Sequence, residues 1–70
     1  MTLVLKQAEV GNIHINLEQD KFTSAYDVVA YHVYENGNAI VINENTYPTI
    51  EKARKRFSYL KSLAKKGELV

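Results

Sequence analysis

The sequence predicts an α+β fold: a three-stranded, or four-stranded, antiparallel β-meander followed by one C-terminal α-helix packed on one sheet face. Three observations predict it. Runs rich in Val, Ile and Tyr flank an Asn36-Gly37 pair. Ile13, Ile15 and Leu17 alternate with polar residues. After Pro48 the apolar spacing changes from the period of a strand to that of a helix. The chain reads as a single domain over residues 1–70, with strands over about 3–19, 25–35 and 39–45 and a helix over about 50–66.

The central hairpin is the clearest element. An Asn-Gly pair tolerates the positive φ angles of a type I′ turn, whose twist suits the flanking strands. With a two-residue turn Glu35 faces Asn38, Val33 lies opposite Ile40 and Tyr31 opposite Ile42. Val29, Tyr31, Val33, Ile40 and Ile42 then share one face, and Tyr26, Val28, Ala30, His32, Tyr34, Ala39 and Val41 share the other.

Upstream, Ile13, Ile15 and Leu17 alternate with His14, Asn16 and Glu18, the pattern of a half-buried strand, and Asp20–Ser24 forms a connecting loop. Before Ile13 the phase differs, because Val4, Ala8 and Val10 fall on even positions. The flip at Gly11-Asn12 is a bulge in one long strand, the favoured reading, or a tight turn between two strands.

Beyond Pro48, Thr49 is placed to cap a helix through its hydroxyl. Glu51 suits the positive helix start, Lys65 and Lys66 suit the negative end, and Gly67 is the natural stop. Ile50, Ala53, Phe57, Leu60, Leu63 and Ala64 fall on one stripe. In element order, and in the junction around Thr49 to Ala53, the chain is similar to the arm-type DNA-binding domains of phage integrases. No motif is matched residue by residue, and no functional residue is carried over.

Packing that stripe on Ile13, Ile15, Leu17, Val29, Tyr31, Val33, Ile40 and Ile42 leaves the opposite face uncovered. Tyr26, Val28, His32, Tyr34 and Val41 on that face are the candidate interaction residues. A chain of 70 residues has little core to spare. It contains no cysteine, so no disulfide staples it. Self-association as a homodimer, through the uncovered face or a sheet edge, is therefore the expected role of a small non-enzymatic module.

Charge supplies the alternative. Residues 1–49 hold two cations, Lys6 and Lys21, against six anions, whereas residues 50–66 hold seven cations and one anion, Glu51. A basic helix suits phosphate contact, so Arg54, Lys55, Arg56 and Lys61 are the candidate nucleic-acid residues. The plain reading of such a helix is a solvated amphipathic surface.

Other chemistry finds little support. His14 and His32 fall on the expected open face, with Asp27 or Asn16 near them. A zinc or general-base reading of this group matches no spacing motif, and partly exposed strand histidines are the preferred reading. The three glycines are isolated, so no phosphate-binding loop is expected, nor any cofactor or enzyme activity. No apolar run approaches the roughly 20 residues of a membrane span. Lys6, Gln7 and Glu9 interrupt the apolar start, which argues against a secretory signal and leaves a cytoplasmic location as the expectation.

Overall fold

Strands β1 (Thr2–Val10), β2 (Ile13–Asp20), β3 (Tyr26–Val33) and β4 (Ala39–Tyr47) form one antiparallel sheet in chain order, followed by helix α1 (Ile50–Lys65). The structure is a computed structural model that describes residues 2–69; Met1 and Val70, the ends of the predicted domain, lie outside the described residues.

The predicted long first strand is two strands. Gly11, at φ 58°, and Asn12 form a two-residue turn that sets Val10 opposite Ile13 and Ala8 opposite Ile15. Positive φ at the first central residue alone is the signature of a type II′ hairpin turn. Such a turn pairs even positions of β1 with odd positions of β2. The phase flip at Gly11-Asn12 is therefore the mark of the turn, and the favoured bulge there is corrected. A bulge does occur in β1, further upstream, between Val4 and Lys6.

The second hairpin also departs from the expected register. Its loop has three residues, Glu35, Asn36 and Gly37, not two. The Tyr34 N–H donates to the Asn38 carbonyl at 2.8 Å, and the Gly37 N–H to the Tyr34 carbonyl at 3.0 Å. Gly37 takes the left-handed conformation at φ 88° that this loop class requires. Val33 thus pairs with Ala39, His32 with Ile40 and Tyr31 with Val41. A bulge at Ile42 then sets Asn43 opposite Ala30 and Asn45 opposite Val28.

Across β2 and β3, Leu17 pairs with Val28 and Ile15 with Ala30. The core consists of Ile13, Ile15, Leu17, Val28 and Ala30 from the sheet, closed by Ala53, Phe57, Leu60 and Ala64 of α1. The helix therefore covers the Val28/Ala30 side, and the expected docking on Val29, Tyr31 and Val33 is corrected. Ile42 reaches the covered side from its bulge.

The helix ends follow the sequence in part. Thr49 sits at the cap position with extended backbone, but its hydroxyl makes no capping hydrogen bond; the Ala53 N–H bonds its carbonyl at 3.3 Å. Gly67, at φ 73°, closes the other end. Its N–H bonds the Ala64 carbonyl and the Glu68 N–H bonds the Leu63 carbonyl, the paired bonds of a Schellman motif. No helix among the described residues is long and apolar enough to cross a membrane.

Candidate interaction surfaces

The five residues expected on one uncovered surface are distributed over three places. Val28 is fully buried beneath the helix, and Tyr26 packs against the same core. His32 is half-buried on the helix side, where it pairs with Ile40. Tyr34 and Val41 are exposed, at 46% and 50%. Val41 lies on the far side of the sheet with its partner Tyr31. His14 also faces that far side, so the two histidines are separated by the sheet and not neighbours. Among the described residues no group of three metal-ligating side chains comes together.

The open side carries a network of polar groups beside the apolar Val4, Val29 and Val41. Gln7 Nε2 donates to Asn16 Oδ1 at 3.2 Å, Asn16 Nδ2 to Glu18 Oε2 at 3.3 Å, and Thr46 Oγ1 to Asp27 Oδ1 at 2.6 Å. Glu9 lies 3.6 Å from His14. Glu44, opposite Val29, adds a further carboxylate. Val29 sits at 3% exposure within this polar surface. Burial raises the Tyr31 pKa above its ordinary value, and the Glu18 and Glu44 carboxylates add to the rise by opposing a phenolate beside them.

The cations gather on the other side of the molecule. Lys52, Arg54, Lys55 and Lys65 on α1 and Lys66 at its C-cap are exposed, and Lys61 is half-buried. Arg54, Lys61 and Lys65 recur at spacings that align them along one flank of the helix. Lys6 joins them, with Nζ 5.2 Å from the centre of the Phe57 ring. Among the described residues the one ion pair is that between Glu9 and His14, so no helix cation is paired with a described carboxylate.

Arg56 stands apart from this set. Its Nη2 donates to Asn43 Oδ1 at 3.1 Å, and the same oxygen accepts from Asn45 Nδ2 at 2.6 Å. The Asn45 amide lies 3.2 Å from both Nε and Nη2 of the guanidinium. The guanidinium also lies 5.4 Å from the Tyr59 ring centre. Arg56 is thus a clip between α1 and β4. Of the four nucleic-acid candidates, Arg54, Lys55 and Lys61 remain free for a partner. Lys52, Lys65 and Lys66, counted among the basic residues of the helix segment but not among the four candidates, lie on this side as well, and Lys6 adds a cation from outside the helix. For Lys6 the missing signal was the turn at Gly11, which puts it on the helix side with Ala8.

A shallow cleft of about 470 Å³, widely open to solvent, lies at the end of the sheet where the two hairpin turns are, lined by Asn12, His32, Tyr34, Glu35 and Asn36. The His32 and Tyr34 rings are 4.5 Å apart between centres and inclined by 58°. Comparison of the chain with protein-family models, with curated protein sequences and with solved structures returns no match.

Proposed function

We propose that the protein is a small non-enzymatic binding module of the cytoplasm whose basic helix meets a polyanion, nucleic acid in the first instance. The observation that carries this reading is the group of six cations on α1 and its C-cap that have no carboxylate partner among the described residues. The acidic groups of the sheet lie beyond the strands, so a phosphate backbone is attracted to one side of the domain and repelled from the other. Each cation that neutralises a phosphate releases a condensed counterion, and Arg56 holds the helix in place for that contact.

Fluorescence anisotropy with labelled DNA and RNA over a range of salt concentrations tests the reading. Binding should weaken steeply with salt. Replacing Arg54 and Lys61 together by Ala should flatten the logarithmic salt dependence by about 2 for duplex DNA. Absence of binding at low ionic strength removes the reading, because phosphate contacts are strongest there.

Self-association through the open sheet face has less support than the sequence suggested, since hydrogen-bonded polar groups occupy that face. The sheet edges offer exposed Leu3, Val4 and Leu5 on β1 and Ile40 and Val41 on β4. Both edges also carry a bulge, a common device for turning an edge strand away from further pairing.

A further inference from the structure

Among the described residues Phe22 is the most solvent-exposed of the large apolar side chains, at 86%. It stands on the Lys21–Ser24 loop between β2 and β3, and this loop is held firmly. The Phe22 N–H donates to Asp20 Oδ1 at 2.8 Å and the Ala25 N–H to Thr23 Oγ1 at 3.3 Å. The Ser24 N–H donates to the Asp20 carbonyl at 2.8 Å, and the Asp20 N–H to the Ala25 carbonyl at 2.9 Å. Ser24 takes φ 61°, a left-handed conformation that non-glycine residues adopt only at a cost. A fixed loop that holds an aromatic ring out in water has the form of a preorganised anchor.

The cleft at the other end of the sheet has complementary chemistry. The Tyr34 and His32 rings line it, and the Glu35 carboxylate stands beside Tyr34 as Lys21 stands beside Phe22. Among the described residues neither Lys21 nor Glu35 has an ion-pair partner. Strands of eight residues separate the two features by roughly 26 Å, so they cannot meet within one chain.

We propose that the chain docks head to tail on a second copy of itself, with Phe22 of one copy entering the Tyr34/His32 cleft of the next and Lys21 pairing with Glu35. This docking uses the ends of the sheet and does not depend on the nucleic-acid reading of the helix. The contact is heterologous: a dimer still has one anchor and one cleft free, on different copies, so assembly propagates beyond it. A single phenyl group buries only about 150–250 Å², so the association is weak and belongs to high protein concentration.

Sedimentation velocity of the full chain, up to millimolar concentration, tests this. The sedimentation coefficient should rise with concentration and pass the dimer value without a plateau. Phe22→Ala should stay monomeric with an unchanged melting temperature. Lys21→Glu and Glu35→Lys should each be monomeric alone, and an equimolar mixture of the two should assemble again. A wild-type chain that stays monomeric, a plateau at the dimer, assembly indifferent to Phe22→Ala, or a mixture that fails to assemble would each overturn the proposal. A monomer in which Phe22→Ala weakens nucleic-acid binding would likewise overturn it and assign the ring to base stacking.

Discussion

The Arg56 guanidinium reaches from the helix to Asn43 on the outer strand, 3.1 Å away, and so takes one of the seven helix cations out of the solvated set. A hydrogen bond from a charged donor to a partly buried amide is worth more than a neutral one, and losing the donor leaves the amide short of a partner.

Arg56→Ala should accordingly lower stability by about 1–2 kcal/mol. Arg54→Ala, on the exposed flank, should stay within about 0.5 kcal/mol of wild type. Urea midpoints of the two variants provide the comparison. Equal midpoints would mean that the clip contributes nothing.

Phe57 is among the largest fully buried side chains and shares one small core with Ile15, Leu17 and Val28. Phe57→Ala should cost about 3–5 kcal/mol. A chain of this length is expected to have only about 4–10 kcal/mol in total. Thermal denaturation should show a Tm lowered by tens of degrees or no cooperative transition, and a near-normal Tm would contradict the core assignment.

Gly11 has open space around its α-carbon, with nothing within 4 Å of an added Cβ, yet its φ is 58°. The penalty for Gly11→Ala is therefore one of backbone conformation, about 1 kcal/mol, and not one of crowding. Chemical denaturation should reveal this loss with the native secondary structure retained. A neutral substitution would argue against the positive φ angle.

Tyr31 titrates above its ordinary value of 10.0 because burial, then Glu18 and Glu44, oppose the phenolate. A folded-state pKa above the unfolded one contributes stability that is complete below about pH 10 and is lost as pH rises through the folded value. Tyr31→Phe should therefore lose less stability in alkali than wild type, with the two curves parallel near neutral pH. Stability curves that remain parallel into the alkaline range would contradict the assignment.

Element order was legible in the sequence because its signals are local. The Asn36-Gly37 pair, the period change after Pro48 and the stripe through Ala53, Phe57 and Leu60 each depend on neighbours a few residues away. The covered face was not legible. Val28 and Val29 are both buried, at 0% and 3%, so hydrophobicity in β3 does not say which side the helix takes. The choice rests on how β3 pairs with β2. The connection across residues 21–25 sets Leu17 opposite Val28 and Ile15 opposite Ala30, and a slip of one residue there would have put Val29 on the covered side instead. The role of Arg56 was hidden for the same reason, since Asn43 and Asn45 pair with Ala30 and Val28 and meet the helix only when it takes that side.

The separation of carboxylates from cations by a layer one strand thick gives the molecule an electric moment directed across the sheet, although its formal charge is only +1. Such a body experiences torque before it experiences net pull. Near a polyelectrolyte of either sign it rotates first and then adheres by the matching side, so cation-exchange and anion-exchange resins should both retard it at low ionic strength.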